Sequence, residues 1–262
     1  MSEVAAYEPG SFCWIEIATS DTAAARHFYS LLFAWDAHDT DAGPEGPYTI
    51  LKRGGKEVCG LLHLGGLGQS RGATPHWLLY ISVESADAAA EKARALGGTV
   101  VTGPLDVREL GRTALVRDPA GALFALWQAK GRLGAEVMHE PGALCWSELA
   151  ARNTKAACRF YGKLFGWEAK ESGIPGMEYT EFCHGQKPIA GMYPAPGSEE
   201  DVPSHWMSYI MVEDCDTTAN KAISLGGRLT APPTDIPSVG RFAVIQDPQG
   251  ARFAIIHMNE PA

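Results

Sequence analysis

Residues Glu8–Glu16 read EPGSFCWIE, and Glu140–Glu148, 132 positions later, read EPGALCWSE. A turn and a nearly identical helical segment follow each copy, ARHFYSLLFAW in one and ACRFYGKLFGW in the other. In an extended chain successive side chains alternate between faces, so Cys13, Ile15 and Ile17 are expected on one side and Trp14 and Glu16 on the other. The helix, capped by Ser20 or Asp21, places Ala25, Phe28, Tyr29, Leu32 and Phe33 on one stripe. That stripe has to cover the aliphatic side of the strand. Trp14 and Glu16 are then left facing away from the helix, toward whatever the sheet encloses.

Further along, a turn-rich DAGPEGP leads to strands at Tyr48–Lys52 and Glu57–His63, joined by the hairpin turn Arg53–Gly54–Gly55–Lys56. One more short strand fits near Trp35. After a Gly-rich connection at 65–75, PHWLLYISVE puts Trp77, Leu79, Ile81 and Val83 on a helix-packing face and His76, Leu78, Tyr80 and Ser82 on the inward one. A helix capped by Ser85 or Asp87 stops at Gly97. Strands are expected near Thr99–Thr102, at Arg112–Arg117 and, beyond an Asp–Pro–Ala–Gly turn, at Ala122–Gln128. The pairs His205–Trp206, Gly226–Gly227 and Gly240–Arg241 and the turn Asp247–Gly250 all lie 129 residues after their partners. The pattern is four similar βα modules in two halves, 8–129 and 140–258, with 130–139 as linker.

Composition narrows the function. Hydrophobic residues at 45% and charged residues at 20% describe a globular chain with an ample core. The net charge of −9 is spread evenly over the halves, with no cationic cluster for nucleic acid and no long apolar run for a membrane. The six cysteines form no CxxC pair, and no leader pattern is seen. These features point to a cytoplasmic protein with reduced thiols. Neither a phosphate loop nor a serine-nucleophile motif is found.

The entry segments TSDTAAARHFYSLLFAW and ARNTKAACRFYGKLFGW, with VESADAAAEKARALGG and VEDCDTTANKAISLGG and the endings DPAGALFALWQ and DPQGARFAIIH, resemble the vicinal oxygen chelate superfamily of glyoxalases, bleomycin-resistance proteins and extradiol dioxygenases, in particular its tandem two-domain glyoxalase-like members. The resemblance implies an α+β fold: four βαβββ modules as two tandem domains whose curved mixed sheets enclose clefts. It also implies a divalent metal acting as Lewis acid. The family's ligand positions, however, fall on Trp14, Leu78, Ala125 and the vicinity of Gly60 in the first half, and on Trp146, Met207, Ala254 and the vicinity of Gly191 in the second. None of these side chains coordinates a hard cation. No cofactor is therefore expected, unless a displaced divalent ion uses Glu16 or Glu148 with His76 or His205, helped by Tyr80 or Tyr209.

The residues leave three readings open. One is a metal-independent protein that binds a small aromatic or cationic molecule against Trp14, Trp146 and Trp127, with His76, His205, Tyr80, Tyr209, Arg112 and Arg241 as further contacts. The second is a lyase, isomerase or dioxygenase-type enzyme using Glu16 and Glu148 as bases. The third is an interaction protein with closed clefts. Inward carboxylates need partners, expected among His76, His205, Arg112 and Arg241. Glu16 meets His205 if the halves exchange modules, and His76 if each half closes on itself. The expected form is a monomer built as a pseudo-dimer, or a weak homodimer.

Overall fold

The computed structural model describes residues 4–40, 48–64, 74–173, 176–197 and 203–259. The DAGPEGP turn, most of the Gly-rich connection and the middle of its Pro-rich counterpart lie outside them. The first half runs β1 (Phe12–Thr19), α1 (Thr22–Phe33), β2 (Asp36–Thr40), β3 (Tyr48–Arg53), β4 (Lys56–His63), then β5 (His76–Ser82), α2 (Ala86–Ala95), β6 (Thr99–Val107), β7 (Gly111–Arg117) and β8 (Leu123–Ala129). The second repeats it: β9 (Leu144–Ala151), α3 (Thr154–Phe165), β10 (Glu168–Glu171), β11 (Thr180–His184), β12 (Lys187–Pro194), then β13 (His205–Met211), α4 (Cys215–Ser224), β14 (Arg228–Ile236), β15 (Gly240–Gln246) and β16 (Arg252–Met258). The short strand expected near Trp35 is β2.

Each half forms one eight-stranded mixed sheet, in the orders β2-β3-β4-β1-β5-β8-β7-β6 and β10-β11-β12-β9-β13-β16-β15-β14. The chain is thus an α+β protein of two tandem domains. β1 lies between β4, parallel, and β5, antiparallel. Each half therefore closes on itself, and Glu16 sits level with Gly60 on one side and Leu78 on the other.

Helix α1 forms where the sequence predicts. Asp21 accepts from the Ala24 N–H, and the buried residues are Ala25, Phe28, Tyr29, Leu32 and Phe33. Burying each large member of that stripe stabilises the fold by roughly 1.5–3 kcal/mol. Ile15 and Ile17 share that core, but Cys13 does not: a register irregularity between Phe12 and Trp14 turns it to the opposite face, beside Trp14 and Tyr80. Simple alternation fails there because a bulge inserts an extra residue into the count.

One apolar core spans both halves. Helix α1 lies beside α4, α2 beside α3, and β5 against β13. A Cβ on Gly98 would meet the Arg117 and Ala93 carbonyls and Phe160, and one on Gly227 the Ala222 and Gln246 carbonyls and Phe28, while Gly97 and Gly226 stand at φ +89° and +90°, which accounts for the Gly–Gly endings of α2 and α4. Polar groups are exchanged in matched pairs. The Trp35 indole N–H donates to the Gly142 carbonyl, and Trp167 to Gly10, so each half's Glu–Pro–Gly entry is fastened by the other half's tryptophan.

Candidate functional site

Glu16 projects from the centre of the first sheet, on the face away from the helices, and is 3% exposed. It meets neither His76 nor His205, nor an arginine. The Tyr80 hydroxyl donates to Oε1 at 2.9 Å and the Tyr48 hydroxyl to Oε2 at 2.8 Å, while the Trp14 indole N–H donates to the Tyr48 oxygen at 3.1 Å. The second half repeats the arrangement. Tyr209 donates to Glu148 Oε2 at 2.6 Å, Tyr179 donates to Oε1 at 2.8 Å, and Trp146 donates to Tyr179 at 2.9 Å. The expected histidine or arginine partners are thus replaced by tyrosines, because Tyr48 at the start of β3 and Tyr179 just before β11 lay a phenol across the glycine of the next strand. A Cβ at Gly60 would overlap the Tyr48 hydroxyl, and one at Gly191 the Tyr179 hydroxyl.

Burial pushes the Glu16 carboxyl up to about 7, against the lowering effect of the bonds from Tyr48 and Tyr80. Burial raises Glu148 too, opposed by Tyr209 and Tyr179. The phenols of Tyr48, Tyr80 and Tyr209 are driven well above their usual value, chiefly by burial and then by the neighbouring carboxylate, so they remain donors. Both oxygens of each carboxylate already accept a phenol proton.

The other expected contacts are placed elsewhere. His76 and His205 sit at strand starts, with Nδ1 at 2.8 Å from the Thr74 carbonyl and 3.0 Å from the Pro203 carbonyl. Arg112 is held by Asp87 at 2.7 Å and Asp106 at 3.3 Å, and Arg241 by Asp216 at 2.6 Å and Asp235 at 2.9 Å. These pairs lie in solvent, away from the glutamates. Trp127 does lie with Trp14 and Tyr80, and its N–H donates to the Arg132 carbonyl. Sequence reasoning missed Tyr48 and Tyr179, although they stand 131 residues apart and each is followed by Thr. Glycine at a family ligand position was the other signal, since it makes room for a ring.

The residues present do not fit the family's metal. The ligand positions hold Trp, Leu or Met, Ala and Gly, the space above the glycines is filled by phenols, and no group of three His, Cys, Asp or Glu among the described residues could hold an ion.

Among the described residues, the halves differ beside the central strand. β4 meets β1 only from Glu16 onward, leaving the start of β1 with an open edge. Linker residues fill it. The Ala135 N–H donates to the Cys13 carbonyl at 2.7 Å, the Glu136 N–H to the Glu57 carbonyl at 2.8 Å, and Arg132 lies over the Trp14 ring at 5.5 Å while paired with Glu57 at 2.9 Å. In the second half the matching notch is a cavity of about 340 Å³, bordered by Cys145, Trp146, Ser147 and Ile189, with Tyr7 and Phe12 of the first half. Trp14 is 6% exposed, whereas Trp146 is only half-buried.

The profile of the Glyoxalase/Bleomycin resistance protein/Dioxygenase superfamily matches residues 11–126 and 138–255. The chain belongs to that superfamily, with one match in each half. It is 37% identical over 254 residues to CFP32 of Mycobacterium tuberculosis (strain CDC 1551 / Oshkosh), whose name assigns it provisionally to the glyoxylases, covering 95% of each chain. It is 33% identical over 264 residues to the anthracycline biosynthesis protein DnrV of Streptomyces peucetius, covering 97% of this chain and 95% of that one. Among solved structures, the Mn(II)-bound glyoxalase of Novosphingobium aromaticivorans superposes with a TM-score of 0.63 at 14% identity, covering 95% of this chain and 82% of the other. The 2,3-dioxygenase LapB of Pseudomonas sp. KL28 gives 0.63 at 14%, covering 97% and 95%. At that identity these two show the shared fold alone.

Proposed function

We propose that the chain is a metal-independent binding protein for a small planar aromatic molecule, held in the second half beside Trp146. The observation that carries this reading is the 340 Å³ cavity next to a half-buried tryptophan, at a place the first half fills with its own linker. Ligand pockets are typically concave, largely apolar and about 300–1,000 Å³ in volume. An indole face beside Leu144, Cys145 and Ile189 offers a flat aromatic compound stacking and burial, with Ser147 for orientation. The likeness to a protein named for anthracycline biosynthesis agrees with a polycyclic ligand. Without a fitting metal site, no Lewis-acid step is assigned, and the glutamates serve as structural acceptors.

The test is a panel of planar aromatics from two fused rings up to an anthracycline, read by tryptophan fluorescence and thermal shift. At least one compound is expected to quench emission and raise the melting temperature, unaffected by chelator, with Trp146→Phe removing most of the quench. A panel in which none does either refutes the reading.

A further inference from the structure

The first half contains an internal guide to what such a notch accepts. Its wall carries a carboxylate, Glu57, and the group drawn in over Trp14 is the guanidinium of Arg132. β4 and β12 share one register against their central strands, Gly60 opposite Glu16 and Gly191 opposite Glu148, so Glu57 corresponds to Pro188 and Lys56 to Lys187. The second notch has therefore lost the wall carboxylate and kept the cation. Around it stand Lys187, His139 and His184. The one carboxylate bordering the cavity, Glu8, is largely exposed and lies 3.5 Å from His184 Nδ1. No acidic partner is found for Lys187 among the described residues. His139, beside Lys187, is held below its usual value chiefly by burial and next by that lysine's charge, against the raising effect of its bond to the Cys145 backbone, so the free cation at this wall is Lys187.

We propose that the second-half cavity selects an aromatic carboxylate, with its rings against Trp146 and its acid group toward Lys187. This rests on the ligand-binding reading above and adds the sign of the ligand's charge. An organic cation, which the first notch already holds in the form of Arg132, meets the wrong sign in the second. A charge-assisted bond from an ammonium to a carboxylate is stronger than one between neutral groups, and at the exposed Lys187 it fixes the sign of the ligand more than the affinity.

Three probes of one shape decide it: 1-naphthoate, 1-naphthylmethanol and 1-naphthylmethylammonium, titrated calorimetrically into the full chain. The naphthoate is expected to bind at least about tenfold more tightly than the other two, which corresponds to about 1.4 kcal/mol. Lys187→Glu is expected to reverse the order. Lys187 is exposed, and an unchanged melting temperature will show that the variant folds. Equal binding of all three, or tightest binding of the ammonium, overturns the charge assignment and leaves the aromatic reading standing. Failure of all three to bind overturns the carboxylate proposal, and the aromatic reading falls with it only where the wider panel of planar aromatics fails as well. Naphthoate binding that survives Lys187→Glu unchanged removes the lysine from the site and refutes the proposal.

Discussion

The Tyr29 hydroxyl donates to Asp247 Oδ2 at 2.7 Å across 218 residues, and the Tyr161 hydroxyl donates to Asp118 Oδ2 at 3.1 Å in the mirror-image contact. Each tyrosine also accepts the indole N–H of its own half, from Trp77 or Trp206. Each aspartate spends Oδ1 on backbone N–H groups of its own turn. Tyr29→Phe therefore strands both a buried indole donor and a carboxylate oxygen. A cost of about 2–4 kcal/mol is expected from two unmet polar groups, measured by urea unfolding. A double-mutant cycle with Asp247→Ala should show strong non-additivity, because the pair is in direct contact.

Glu16 gives the stability a pH dependence. Its carboxyl rises from 4.5 to about 7 on folding, so between those values the folded state binds more protons than the unfolded one. Its contribution is complete below about pH 4.5 and is lost as pH climbs through about 7. Glu148 acts in the same direction. Glu16→Gln should flatten the decline in melting temperature between pH 5 and pH 8, a difference on the order of 3 kcal/mol for a shift of this size. Parallel curves for the two proteins would contradict this.

Gly191 makes room for Tyr179. Gly191→Ala should force the phenol off Glu148 and cost about 1–3 kcal/mol through overpacking. Adding the same change to Tyr179→Ala should cost much less, since the ring it collides with is gone. Unfolding midpoints of the three variants decide the matter.

Gly134 sits at φ +153°, and a Cβ there would run into the Cys13 carbonyl and the Tyr7 ring. Gly134→Ala should loosen the linker from the first notch. Because Arg132 is a trypsin site held against Trp14 and Glu57, limited proteolysis at that bond should accelerate severalfold while the second half stays protected.

Metal analysis gives a further check. Protein produced with added manganese, iron, nickel or zinc should carry well under one equivalent of any of them, and chelator should leave its melting temperature unchanged. A stoichiometric ion would contradict the reading of the donor set.

The repeat and the two periodicities were enough to place the strands, the helices and the inward Trp–x–Glu face, because those depend on local alternation and on a stripe that must be buried. Cys13 was misplaced because a bulge leaves no mark in alternation. The partners of Glu16 were missed for a different reason. Candidates chosen by charge pointed to histidines and arginines, whereas the fold satisfies a buried carboxylate with neutral phenols and avoids bringing in a second ion. Tyr48 is recognisable as a partner only once β3 is seen to cross Gly60. The role of residues 130–138 was equally hidden, since nothing in KGRLGAEVM distinguishes a tether from a strand-like insert.

Among the described residues that insert is seen beside β1 and has no match beside β9. A duplicated protein starts with interchangeable halves, and any mutation can be tolerated in whichever copy matters less. Residues 134–137 end that equivalence. Changes around Trp14 are now judged by how well they seat a piece of the same chain, and changes around Trp146 by what they admit from outside. Across relatives with this layout, substitutions on the first side should track side-chain volume, while those on the second should track ligand chemistry.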